Sequence, residues 1–464
     1  MECKVKRLVI IGAGFSGAVT AIEFLKRASE GMHLTIINRS GKMARGLAYG
    51  TNSPHHLLNV PAGNMSALVD QPDSFLAFCQ KIDPETHSGS FVSRKLYGAY
   101  LSEMLSQSEA QSTAKCSRIT GEVLSIQADG TGALIDVSTG ERIFADHVVL
   151  AFGNFSPARP SGLQQLDNCS AYTADPWSPL AQLSSDQAPR VLLVGSGLTA
   201  LDTLISLRQS HPAAKVTMVS RRGLLPTAHR ERIPASVFST TICTDLLASV
   251  PSVSSYMKLV RQEVARSPEH WREVVAALRP ITSELWGRLS LDERRRFLRH
   301  VQPHWDVYRH RVAPQTYRIY QEALATSAIN SIAGRILSVA AEGPCVSVHI
   351  KTRGVDNVVE YRFDQIINCT GPCTDIEKIT DPFISYLLNE AMICADALNL
   401  GIKVGKDYSV EDPTGKSTQW LSYVGPMLKA QLWEATAVPE LRQHARALAI
   451  ELIKNFASIE SDLI

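Results

Sequence analysis

Gly12, Gly14 and Gly17 stand in G-x-G-x-x-G spacing directly after the apolar run Leu8–Ile11. Gly195, Gly197 and Ala200 repeat the spacing as G-x-G-x-x-A after Arg190–Val194. Residue types in this pattern hold a diphosphate. The first glycine permits a tight turn, the second lets the backbone approach the phosphates, and the third position lets helix and strand pack closely. The free N–H groups of the following helix then face the anion. Phe15, Ser16 and Thr199 lie inside these loops and count among the expected cofactor contacts. Two such loops in one chain imply two bound dinucleotides.

The ribose positions differ between the two loops. His33–Asn38 reads as the second strand of the first βαβ unit, and Asn38 occupies the place where an acidic residue usually binds a ribose hydroxyl. Asparagine can still hydrogen-bond a hydroxyl, without charge. In the second unit, Lys215–Ser220 runs into Arg221 and Arg222. Cations there suit a 2′-phosphate, which favours NADPH over NADH, with solvated surface arginines as the alternative.

The elements that must position these loops repeat as well. Ile119–Ile126 (ITGEVLSI) matches Ile332–Val339 (IAGRILSV), and Asp146–Gly153 matches Asp364–Gly371. Each module is therefore expected to end in an apolar strand that runs into a glycine, Gly153 or Gly371, with Asn154–Pro160 as a linker. The stretch Gly46–Leu68 shows neither helical nor strand period and carries Tyr49, His56 and Asn59. It reads as a loop packed over an aromatic cofactor, or as an ordered surface loop. Pro72–Gln80 and Ser93–Leu105 read as helices, the latter with Arg94, Lys95, Tyr97 and Tyr100 facing a ligand or solvent. Lys258–Arg311 holds eleven arginines and one lysine against seven acids, with apolar residues at helical spacing. Interleaved acids make a solvated helical insertion a better reading than a nucleic-acid surface. Its patch His304–Arg311 could bind an anionic substrate or a cofactor phosphate. Tyr423–Arg442 places Gly425 and Pro426 before a helix-like run containing Trp433 and Thr436.

Composition narrows the class. At 464 residues, 45% hydrophobic and 20% charged, the chain is a soluble globular protein of two or three domains. A net charge of +2 gives no field for nucleic acid or an anionic membrane. Nine scattered cysteines without a C-x-x-C read as reduced thiols, and no metal-ligand spacing is present. The most apolar window, Leu8–Leu25, contains Ser16, Thr20, Glu23 and three glycines, which argues against a membrane span. A cytoplasmic location without a membrane anchor is expected.

Taken together, GAGFSG at Gly12, GLAYGT at Gly46, HLLNVPAGNMS at His56, GSGLTA at Gly195 and WEATAVPELR at Trp433 make the chain similar to one family. It resembles the bacterial FAD–NAD(P)-binding flavoproteins that include an FAD-dependent urate hydroxylase and N-hydroxylating nitrosuccinate synthases, relatives of class B flavin monooxygenases. The resemblance covers nearly the whole chain. It implies an α/β fold of two Rossmann-like domains with a helical insertion at about 240–325. The FAD-binding domain would comprise residues 1–175 and 371–464, and the NAD(P)H-binding domain 188–370. FAD would lie against Gly12, Gly14, Gly17, Asn59 and Val60, and NADPH against Gly195, Gly197, Ala200, Arg221 and Arg222. Two departures stand out: Asn38 in place of an acid, and no F-x-G-x-x-x-H-x-x-x-W signature after Phe152. The second speaks against a Baeyer–Villiger oxygenase.

Electrons passed from NADPH to FAD need an acceptor. A disulfide reductase needs a paired C-x-x-C, whereas Cys369 and Cys373 are four apart. Iron–sulfur spacing is likewise missing from the sequence. Molecular oxygen remains, which implies a monooxygenase acting through a flavin C4a-(hydro)peroxide on a small nucleophilic substrate, an amine or amino acid being favoured. A flavin oxidase or reductase with another acceptor, and a flavin sensor without turnover, are the alternatives. His56 and Asn59 are the expected catalytic contacts, with Arg311 and Arg94 as anchors for an acidic substrate.

Overall fold

The computed structural model describes residues 5–166, 169–178, 183, 188–231 and 238–461. Lys6–Ile11 forms the central strand of a six-stranded sheet in the order Ser409–Glu411, Ser417–Tyr423, His147–Leu150, Lys6–Ile11, Met32–Asn38, Lys115–Thr120. All its pairings are parallel except that of Ser409–Glu411 at the edge. Leu8, Ile10 and Leu34 are fully buried on one face, as continuous apolar runs in a sheet covered on both sides require. Helix Phe15–Leu25 packs on that face, and the last helix, Val438–Ser461, packs on it in turn. Ala445, Leu448, Ala449, Leu452 and Phe456 recur at helical spacing along this contact and are all buried.

The second sheet has seven strands, in the order Val358–Phe363, Cys345–Thr352, Ile329–Glu342, Lys215–Ser220, Arg190–Val194, Gln365–Asn368, Tyr172–Thr173. The internal repeat seen in the sequence is a structural repeat. In the first module, Lys115–Thr120 pairs parallel with the Rossmann strand, and Val123–Asp129 then opens a separate three-stranded antiparallel sheet. In the second module one long strand, Ile329–Glu342, does both. The α/β fold with two Rossmann-like modules is as expected.

The insertion is helical, with helices Ile242–Ala248, Val253–Arg266, Trp271–Ala277, Thr282–Arg288, Leu291–His300 and Gln302–Arg309. Helix Pro314–Ala325 belongs instead to the second Rossmann core, where Tyr320 and Ala323 are buried with Leu201 and Leu204. The insertion leans on the first module. Its Trp286 and Leu289 share a core with Leu400, Ala430 and Trp433. Gly46–Leu68 is more ordered than its composition suggests: Gly46–Tyr49 forms one helical turn and Ala62–Asn64 a 3₁₀ turn. The two expected helices run over Ser74–Ile82 and Arg94–Gln111, the second capped by Ser93.

Candidate functional site

The first glycine loop is built for close backbone approach. Gly12 has φ of +104°, and a Cβ there would lie 2.7 Å from the Ala151 carbonyl oxygen. A Cβ on Gly17 would lie 1.9 Å from the Gly12 carbonyl oxygen. Gly195 reproduces the device, with φ of +121° and a Cβ position 2.4 Å from the Cys369 carbonyl oxygen. Gly14 and Gly197 behave differently: both cap the following helix in extended conformation, and Gly197 faces open space. The middle glycine of each loop thus leaves room for a ligand, while the first is required by the fold.

In front of the first loop lies a cleft of about 1100 Å³. Gly12, Gly14, Phe15, Ser16, Asn38, Tyr49, Gly153, Pro426 and Thr436 all line it, so most of the expected first-cofactor contacts converge. Tyr49 packs 4.6 Å from Tyr97, and burial pushes its phenol up to about 12. The Asn38 side chain is already engaged. Its Oδ1 accepts from Ala13 N–H at 3.2 Å, and its Nδ2 donates to the Ser40 carbonyl. It therefore ties the end of the second strand to the glycine loop, a local role that an acid could not fill with both atoms.

Other expected contacts stand elsewhere. Trp433 does not line the cleft; it is buried against Trp286, with ring centroids 4.7 Å apart. Val60 packs against the first core, and Gly371 has φ of +90° at the crossover between modules. Gly425, at φ of +152°, sits so close to Tyr423 Oη that a Cβ would be 2.5 Å away. Its role is to fit the chain under Tyr423 before Pro426 reaches the cleft.

The four residues expected to do chemistry fall into two groups. His56 and Arg94 belong to a buried junction between the modules. His56 Nε2 meets Ser206 Oγ at 2.8 Å and Nδ1 meets Thr51 Oγ1 at 2.9 Å. Arg94 Nη2 pairs with Asp202 Oδ2 at 2.8 Å, and Arg94 Nε donates to the Leu57 carbonyl. Both nitrogens of His56 and the guanidinium of Arg94 are thus occupied, which corrects the expectation that Arg94 anchors a substrate. Burial is the main influence on both neighbours, lowering the His56 pKa and raising that of Asp202 against the pull of Arg94.

Asn59 and Arg311 come together through a residue the sequence did not single out, His229. Its Nε2 donates to the Asn59 carbonyl at 2.9 Å. His229 N donates to the Val312 carbonyl, which places Arg311 beside it. Arg272 and Arg311 both lie over the Trp271 ring, at 4.3 and 5.9 Å. Nearby Arg230 is paired with Glu273, and Arg309 lies 2.9 Å from Glu434. Arg311 has no acid, and its buried Nε has no hydrogen-bond partner among the described residues. Burial and the neighbouring Arg309 and Arg272 lower its pKa to about 10.

Burial, helped by Arg311, Arg272 and Arg309, holds His229 near 4, and burial does the same for His147. Both rings are neutral in the fold at pH 7, while an unfolded histidine titrates near 6.5. Between those values the unfolded chain binds more protons, so stability rises with pH through the window. Urea unfolding is expected to show stability falling from pH 7 to 4.5 by up to about 3 kcal/mol per histidine. A flat profile would mean that the two rings titrate normally.

The second cleft, about 840 Å³, opens at the carboxyl ends of the second module's strands and is lined by Arg221, Arg222 and Thr370. The paired glycine cradles, each with a cleft at its strand ends, define a two-dinucleotide Rossmann fold. Residues 9–155 match the model of the FAD-NAD(P)-binding family, so the first module carries an FAD-NAD(P)-binding domain. No curated protein matches the chain in sequence. Solved structures match it over nearly full length. An ornithine N-hydroxylase from Kutzneria sp. 744, solved with reduced FAD, NADP⁺ and L-ornithine, is 14% identical, with a TM-score of 0.65 over 97% of this chain and 98% of its own. An L-lysine 6-monooxygenase from Pseudomonas syringae is 15% identical, with a TM-score of 0.64 over 97% and 99%. A thioredoxin reductase from T. acidophilum reaches a TM-score of 0.51 at 12% identity over 97% of each chain.

Among the described residues, no helix is long and apolar enough to cross a membrane. No group of three or more His, Cys, Asp or Glu among them could hold a metal ion.

Proposed function

We propose that the chain is a cytoplasmic FAD- and NADPH-dependent monooxygenase that hydroxylates a small polar substrate, an amine or amino-acid nitrogen being the favoured target. The observation that carries the reading is the pair of matching glycine cradles joined by a buried junction, with no dithiol beside them among the described residues. All eight described cysteines are free, and burial pushes the Cys369 thiol up to about 12. A thiol so held is a poor nucleophile. The likeness in fold to ornithine and lysine hydroxylases supports oxygen as the acceptor.

Bound FAD would supply the redox chemistry, taking reducing equivalents from NADPH and delivering one atom of O₂ to the substrate. The chain's own residues bind and orient. The loop Gly12–Gly17 and the start of helix Phe15–Leu25 would hold the FAD diphosphate, and Gly195–Thr199 that of NADPH. Arg221 would meet the 2′-phosphate. Arg311, charged and without an acid partner among the described residues, would receive a substrate carboxylate, and neutral His229 holds the Asn59 loop beside it. The FAD module comprises residues 1–175 and 371–464, and the NADPH module 188–370.

Purified yellow protein is expected to consume NADPH and O₂ together when offered its substrate from a panel of amino acids and polyamines. NADPH oxidation without O₂ uptake would point to a reductase instead. Arg221→Ala is expected to raise the NADPH KM at least tenfold more than the NADH KM; equal effects would refute the 2′-phosphate assignment. Arg311→Met is expected to raise the KM for a carboxylate substrate at least tenfold without lowering the melting temperature. Among the described residues no acid pairs with it and its buried Nε has no hydrogen-bond partner, so removing it strands no buried carboxylate. A melting temperature many degrees lower would make Arg311 structural.

A further inference from the structure

The second cleft carries far more positive charge than one phosphate contact requires. Besides Arg221 and Arg222 it is lined by Arg299, Arg335, Lys351 and Arg353, against a single acid, Asp306. Asp306 already faces His310, 3.7 Å away. Lys351 lies 3.3 Å from Asp356, but among the described residues none of the five arginines has an acid within ion-pair distance.

These residues come from three separate elements and are gathered at one point. Gly223, at φ of +64°, turns the chain so that a Cβ there would lie 2.9 Å from Ala333 Cβ, which sets the Arg221–Gly223 turn against the strand Ile329–Glu342. That strand carries Arg335 two residues further on. Arg353 N donates to the Ala333 carbonyl at 2.8 Å, bringing the end of the strand Cys345–Thr352 to the same place. From the other side, Arg222 Nη2 donates to the Arg299 carbonyl at 2.8 Å, pinning the last turn of helix Leu291–His300 across the cleft. A cation at a helix C-terminus is favourable, so this closure is stable. The floor is Thr370, which adjoins Gly195: a Cβ on Gly195 would lie 3.2 Å from Thr370 N. Thr370 thus stands between the basic cleft and the second glycine loop, and the cleft lies beyond the end of Lys215–Ser220, where a dinucleotide's adenosine end leaves a Rossmann sheet.

We infer that the adenosine 2′-phosphate of NADPH is read jointly by Arg221 at the strand end, Arg335 and Arg353 of the antiparallel hairpin, and Arg299 of the helical insertion. Arg222 holds the insertion closed over them. This rests on the NADPH reading and extends it. Specificity is a property of three elements and not of the ribose position alone, and the insertion supplies one wall of the cofactor site. A dianionic phosphate takes two or more guanidinium contacts well, because each offers paired N–H donors.

The test is calorimetric binding of 2′,5′-ADP and of 5′-ADP to the FAD-loaded full-length protein, which separates phosphate recognition from turnover. The wild type is expected to prefer 2′,5′-ADP at least 100-fold. Arg299→Ala, Arg335→Ala and Arg353→Ala should each weaken 2′,5′-ADP about tenfold, leave 5′-ADP within twofold, and flatten the salt dependence. Arg335→Gln and Arg353→Gln serve as second variants, with flavin absorbance and melting temperature confirming the fold. If only Arg221→Ala loses the preference, the shared site is refuted while the NADPH reading survives. Equal weakening of both ligands would reduce the arginines to a general field and also refute it. A wild type without preference would overturn the NADPH reading and this inference together.

Discussion

Gly14→Ala is expected to give a stably folded protein that no longer retains FAD, whereas Gly12→Ala is expected to lose fold and flavin together. The two positions are two residues apart in one loop, yet their geometry differs. Gly14 has φ of −75° and ψ of −163°, which alanine adopts freely, and its Cβ would sit 3.7 Å from Gly46 Cα, an ordinary contact. The added methyl then projects only where a diphosphate must approach the backbone. Gly12 has φ of +104°, and its Cβ would lie 2.7 Å from the Ala151 carbonyl oxygen. That oxygen cannot move away cheaply. Ala151 N donates to the Ile11 carbonyl at 2.8 Å, and Gly12 N donates to the Ile37 carbonyl at 2.8 Å. The left-handed conformation alone costs an L-residue about 1–2 kcal/mol, and the clash adds to it. Against a total stability of about 5–15 kcal/mol that is a large fraction. The ratio of flavin to protein absorbance after desalting, with melting followed by circular dichroism, separates the cases. If Gly14→Ala retains a full complement of FAD, the diphosphate does not lie against this loop.

The parts of the fold that were legible in the sequence are those specified within about thirty residues. A buried strand, three spaced glycines and a helix are local features, and their recurrence at Gly195 exposed the second module. The internal repeat was legible because each copy must turn from a parallel pairing into an antiparallel hairpin. Asn38 was placed correctly at the strand end, but its function depends on Ala13 and Ser40, whose backbone positions follow only from the folded loop. The candidate site was far less legible. His56 and Arg94 carry suitable chemistry, and nothing local announces that Ser206 and Asp202 will occupy them. His229 had no motif around it; its importance comes from a hydrogen bond to Asn59 across 170 positions. Trp433 reads as a flavin contact because it shares the run WEATAVPELR with Thr436. In the structure the two point to different places, since Trp433 completes the core shared by the insertion and the C-terminal segment.

Asp202→Ala is expected to cost about 3–5 kcal/mol of stability and to uncouple the two modules. Asp202 lies on helix Leu198–Ser210, one turn behind the second glycine loop, and its side chain is 8% exposed. Arg94, 13% exposed, is the first residue of helix Arg94–Gln111, where the helix dipole disfavours a cation. Without Asp202 this guanidinium would remain buried beside a positive helix end, keeping only its bond to the Leu57 carbonyl. The penalty is for the stranded charge and not for the lost pair. Arg94→Met combined with Asp202→Leu is therefore expected to recover most of the loss, because apolar side chains fill the junction without a charge to desolvate. Urea unfolding of the two single variants and the double variant gives the coupling directly. Function separates from stability in the double variant. With the ion pair gone, the His56–Ser206 and His229–Asn59 hydrogen bonds are left to register the loop Gly46–Leu68 against the second module. NADPH should bind with unchanged affinity, but anaerobic bleaching of the flavin by NADPH, followed by stopped flow, should slow at least tenfold. An error of about 1 Å between reacting groups costs that much or more. A double variant that is bleached at the wild-type rate would show that the pair stabilises the fold without aligning the two cofactors.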